Sequence, residues 1–130
     1  MSNAEKIFIE HAEDLRQFFH SNKVTLNVTS AEYAQVGMYY IDSNDNDAIL
    51  IGESIIKRSP KHALIVLLHE LGHYLAEKHG LYEQRRNIKM EECLAWVMAE
   101  AVLTELDWPI TRAHFNSTRK RALKSYGIRS

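Results

Sequence analysis

The pentapeptide His69-Glu70-Leu71-Gly72-His73 lies inside the most apolar stretch of the chain, Ala63 to Leu75, and that placement restricts the fold more than any other feature. Ser59-Pro60 upstream reads as a helix N-cap followed by proline at the first helical position, and Gly80 reads as the stop signal. The spacing predicts one helix over about 60–79, buried through Leu67, Leu68, Leu71 and Leu75. Two imidazoles and a carboxylate inside such a helix cost on the order of several kcal/mol unless they find partners. The fold must therefore bring other elements in to complete a polar centre.

The remaining segments supply those elements. Ser2-Asn3-Ala4-Glu5 fits a capping box for a first helix over about 5–21. Three extended segments follow, at 24–28, 37–42 and 48–51. The dense turn signal Ser43-Asn44-Asp45-Asn46-Asp47 makes the last two a hairpin. A calcium loop is not supported there, because counting from Asp42 the sixth position holds Asp47 where an EF-hand needs Gly. A second long helix runs from about Met90 to Leu106 and ends before Trp108-Pro109, and Thr111 caps a last helix over about 111–126. The expectation is one α+β domain over 1–130, with an N-terminal helix, a small three-stranded antiparallel sheet and three packed helices.

Composition excludes several classes. With 45% hydrophobic and 25% charged residues the chain is neither disordered nor a membrane protein. No apolar run is long enough to cross a bilayer, and Met1 to Ile9 lacks a signal-peptide core, so the expected location is the cytoplasm, without a membrane partner. The lone Cys93 rules out an internal disulfide or a cysteine-rich zinc knuckle. Charge is uneven: residues 1–108 hold 10 Lys and Arg against 17 Asp and Glu, whereas 109–130 hold 6 basic residues and no acid. The basic C-terminal helix is a candidate contact for an acidic or nucleic-acid partner.

His69 and His73 are one helical turn apart, so both imidazoles share a face and can hold one Zn²⁺. Glu70 stands beside them as candidate general base. A catalytic zinc needs a third protein ligand, and two candidates exist. Glu92 sits near the start of the next helix, and the loop from Gly80 to Lys89 is long enough to return that helix antiparallel to the first. Ala95 and Ala99 would let the two helices approach closely. His79 imitates a pattern that needs Gly at the position of Ala76; on a continuous helix it points away from His73. The residues favour Glu92.

With Glu92-x-x-Ala95-x-x-x-Ala99 following His-Glu-Leu-Gly-His, the chain resembles the ImmA/IrrE family of zinc metallopeptidases, most closely over 60–100. The resemblance implies a zincin-type active-site helix, His69, His73 and Glu92 as zinc ligands, and Glu70 as general base. It also implies cleavage of a protein substrate such as a repressor in a bacterial or phage setting. The compact form resembles small phage or prophage proteins of this type. Trp96 and Met98 depart from the Asn and Phe common in the family, and no helix-turn-helix segment is present.

Two other readings start from the same residues. A DNA-associated protease of the SprT type would take His79 as third ligand and use Arg112, Arg119, Lys120, Arg121 and Lys124 for DNA. A non-catalytic binding module would keep the zinc and only dock a partner. For a peptidase, the electrophile opposite the metal could come from Tyr74, Tyr82, His62 or His114. An exposed edge of the strand at 48–52 would receive the substrate by strand addition.

Overall fold

The structure is a computed structural model and describes residues 2–30, 37–82 and 87–128. Along the chain it has α1 (Asn3–Ala12), a 3-10 turn (Glu13–Leu15), α2 (Arg16–Asn22), β1 (Thr25–Thr29), β2 (Gly37–Ile41) and β3 (Asp47–Gly52). Four helices follow: α3 (Glu53–Arg58), α4 (Pro60–Lys78), α5 (Ile88–Glu105) and α6 (Arg112–Ser125). The fold is α+β, as expected.

The first helix is divided by the 3-10 turn. This turn lets Phe8 and Ala12 from α1, Leu15 from the turn and Phe19 from α2 all reach the core. Ser2 caps α1 by accepting the Glu5 N–H at 3.2 Å. Lys23, at φ 56°, ends α2 in the left-handed region.

The sheet corrects one expectation. Its order is β1-β3-β2, and β3 runs antiparallel to β2 but parallel to β1, so the sheet is mixed rather than antiparallel. Burial explains the order. The unbroken apolar run of β3 buries Ala48, Ile49 and Ile51, and a strand covered on both faces belongs at the centre. The hairpin itself forms as expected: Asp42 Oδ1 accepts the N–H groups of Asn44 at 2.8 Å and Asn46 at 3.0 Å and fixes the turn. Because β3 is central, the edge at 48–52 is not open to a substrate. Among the described residues the free edges belong to β1 and β2.

The link after β3 forms the short helix α3, which buries Ile55 and Ile56. Ser59 then caps α4 by accepting the His62 N–H at 3.2 Å, with Pro60 at the helix start. Ala63 through Leu68 are all buried, so α4 is the central helix, touched by α1, α3, α5 and the sheet. Asn87 caps α5. Residues 83–86, part of the loop expected to return the chain, lie outside the described residues.

α4 and α5 pack closely at Gly72. A Cβ there would stand 2.0 Å from the Ala95 carbonyl oxygen, so only glycine admits the observed approach. Helix α5 meets α4 antiparallel: His73 lies against Glu92, and one turn away His69 stacks on Trp96. Trp108 ties the far end of α5 to the N-terminal region by donating its indole N–H to Asp14 at 2.8 Å. No helix among the described residues is long and apolar enough to cross a membrane.

Candidate metal centre

His69, Glu70 and His73 each present one ligand atom, and these atoms lie within 4.8 Å of one another, so the group could hold a metal ion. Helix α4 dictates this placement, because positions 69 and 73 are one turn apart and Gly72 lets α5 come close. Across the seam, Glu92 is buried and faces both rings: Oε1 is 3.1 Å from His69 Nε2, and Oε2 is 2.7 Å from His73 Nε2.

The other ring nitrogens are also engaged. His69 Nδ1 lies 3.3 Å from Glu70 Oε2, and His73 Nδ1 lies 2.7 Å from the Tyr82 hydroxyl. Tyr82 in turn donates toward the Glu91 carbonyl at 3.4 Å, so its oxygen is left to accept the Nδ1 proton. With Nδ1 of each ring facing an acceptor, both Nε2 atoms face the one carboxylate of Glu92. Trp96 stacks on His69 with centroids 4.4 Å apart and a 10° interplanar angle, which fixes the ring plane.

Glu70 is held differently. Its Oε1 accepts the backbone N–H of Tyr39 at 3.0 Å, and that N–H lies on the free edge of β2. Tyr39 is anchored by its hydroxyl, which donates to Asp47 Oδ1 at 2.6 Å, while Lys78 pairs with Asp47 Oδ2 at 3.0 Å. The β2–β3 hairpin is thereby tied to α4 at Glu70 and at Lys78. Burial, reinforced by the hydrogen bond to Asp47, pushes the Tyr39 phenol well above its ordinary range.

The electrostatics match this arrangement. Burial alone would lower the His69 pKa, but hydrogen bonds to Glu70 and Glu92, with their charges, raise it to about 9. Burial alone would raise the Glu92 pKa, but the two imidazoles lower it to about 2. Without metal, Glu92 is an anion bridging the two rings.

Of the residues singled out in the sequence, His69, Glu70, His73 and Glu92 converge. His79 does not: it caps the end of α4, exposed, away from the cluster. Of the candidate electrophiles, Tyr82 is committed to His73. Tyr74 is buried against Phe18 and Tyr39, while His62 lines the cavity on the α6 side. Tyr126, at the end of the last helix, is 42% exposed and lines the cleft beside His69, Glu70 and Glu92. Burial and the charges of Glu92 and Glu70 raise its pKa. Gly127, with φ 75°, ends α6 just beyond Tyr126, and no sequence signal marks Tyr126 as part of the site.

The cleft over the centre measures about 340 Å³ and is walled by β2, α4, α5 and Tyr126. No family model matches the chain, and neither a curated protein nor a solved structure matches it significantly.

Proposed function

We propose that the chain is a zinc-dependent metallopeptidase of the zincin type, located in the cytoplasm, with His69, His73 and Glu92 as ligands and Glu70 as general base. The observation that carries this reading is the convergence of two Nε2 atoms and one carboxylate at the floor of an open cleft, with a second carboxylate alongside. The donor set of two imidazoles and one carboxylate suits zinc. When bound, zinc supplies Lewis acidity, lowering the pKa of water toward about 7 and polarising a carbonyl.

Glu92 has the stronger claim as ligand because it faces both Nε2 atoms. Glu70 is held by Tyr39 N–H on one oxygen and leans on His69 Nδ1 with the other. That position leaves it to take a proton from the attacking water and pass it to the leaving amine. Tyr126, which lines the cleft, would donate its hydroxyl proton toward the oxyanion that develops on the scissile carbonyl. The free edge of β2 runs past Glu70, and its outward backbone groups can pair an extended peptide over the centre. β2 thus takes the role first assigned to 48–52.

The His-Glu-Leu-Gly-His and Glu-x-x-Ala-x-x-x-Ala elements support an ImmA/IrrE-type assignment, and with it a bacterial or phage regulator as substrate. A DNA-associated protease gains no support from His79, which stands outside the cluster. Two of the basic residues on α6, Arg112 and Arg119, are paired with Glu100 at 3.5 and 3.4 Å, which leaves fewer for nucleic acid.

The test is cleavage of a mixed peptide library by zinc-loaded protein, read by mass spectrometry. Cleavage that disappears with a chelator and in Glu70→Gln supports the reading. Cleavage surviving both treatments, or none by the wild type, overturns it.

A further inference from the structure

A second cavity, about 500 Å³, adjoins the metal centre between α4, α5 and α6. Its inner end is His69, Glu70, Glu92 and Trp96, which stacks on His69; its outer walls include His62, Val66, Thr118 and Arg121. On α4 the lining residues step one turn at a time from His69 through Val66 to His62. At a 1.5 Å rise per residue, His62 stands about 10 Å from His69 along the axis. On α6, Thr118, Arg121, Ala122 and Ser125 recur at helical spacing, so one face of that helix forms the opposite wall.

The outer part of this cavity is cationic and holds spare donors. His62 has its pKa lowered by burial and then by His114, Arg121 and Arg58, which places it in a positive field. The other arginines of α6, Arg112 and Arg119, are paired with Glu100, whereas Arg121 has no ion pair among the described residues. Among the described residues no acid lines the cavity apart from Glu70 and Glu92 at the metal end. The indole N–H of Trp96, a residue only 3% exposed, has no hydrogen-bond partner among the described residues. That nitrogen is itself sealed from solvent, so the indole forms a wall of the cavity and not a donor into it.

We propose that this cavity is a substrate subsite for an acidic side chain, held by Arg121 and His62. The proposal rests on the peptidase reading. At about 3.3 Å per residue of extended chain, the 10 Å offset places the acidic residue within about three positions of the scissile bond. Arg121 and His62 thus select the cleavage site, while the metal centre performs the reaction.

Two probes test this on zinc-loaded Glu70→Gln protein, which holds substrate without turning it over. The first is N-acetylglutamate amide against N-acetylglutamine amide, followed through the Trp96 indole N–H resonance. The second is a set of capped heptapeptides differing only in Glu or Gln at one position, followed by calorimetry. The acidic member of each pair should bind about tenfold more tightly, as a charged hydrogen-bonded contact provides, with the peptide effect confined to one position. Arg121→Gln should reduce that preference below about threefold and Arg121→Lys should retain part of it. Equal binding of Glu and Gln forms, or a preference unchanged in Arg121→Gln, overturns the subsite while leaving the peptidase reading intact. Arg121-dependent capture of N-acetylglutamate amide with no peptide bound in any form supports an anion site but overturns its role in substrate choice, and the peptidase reading with it.

Discussion

Glu70 and Glu92 are adjacent carboxylates of the same chemistry, separated in role by what each faces. Glu92 faces two Nε2 atoms, and Glu70 faces a backbone N–H and the cleft. If Glu70 is the base, Glu70→Gln keeps the zinc and loses turnover by about 10²–10⁴-fold, the range general acid–base catalysis supplies. Metal analysis alongside peptide turnover checks this, and loss of both together would contradict it. The raised pKa of His69 gives a second expectation. Near neutral pH the metal-free ring carries a proton that zinc must displace, so affinity weakens as pH falls below about 9. Calorimetry in buffers of different ionisation enthalpy should show proton release on binding at pH 7; no release would refute it. The sign for folding is opposite. The stability that protonated His69 gives the metal-free protein is present below its unfolded value of 6.5 and is lost as pH rises through about 9. Melting temperatures of the metal-free protein should fall across that window.

At the scale of elements, α4 and α5 carry the site, and Gly72 sets their separation. Gly72→Ala drives a methyl group into the Ala95 carbonyl, so the helices must part. The expected cost is about 1–3 kcal/mol, as for overpacked cores, with weaker zinc binding because Glu92 moves with α5. Thermal unfolding and zinc titration check both parts, and an unchanged variant would contradict the packing described. Ser59→Ala removes only the cap of α4 and should cost about 1 kcal/mol in denaturant unfolding. The caps were legible in the sequence because they are local: Ser59-Pro60 and Thr111 each announce a helix through a few residues. The turn 43–46 was legible for the same reason. The order of the strands was not, since β1 and β2 both compete for β3 and the choice depends on which strand is covered on both faces. The unbroken run Ala48-Ile49-Leu50-Ile51 was the available sign that β3 is central.

For the molecule as a whole, the metal centre joins α4 to α5 and, through Glu70 and Tyr39, the sheet. Zinc binding should therefore stabilise the entire unit by about 2.7 kcal/mol at free zinc a hundredfold above Kd, read as a higher melting temperature. A chelator should reverse that rise. The His-Glu-Leu-Gly-His signature was legible in the sequence because one helix fixes its geometry. Glu92 was legible only as a choice against His79, and Tyr126 not at all, since its place depends on how α6 lies across the cleft. The most direct test of the central claim is zinc content per chain after purification in limiting metal. Wild type and His79→Ala should each hold one zinc, and Glu92→Ala should hold little. Full zinc in Glu92→Ala, or its loss in His79→Ala, would contradict the site described.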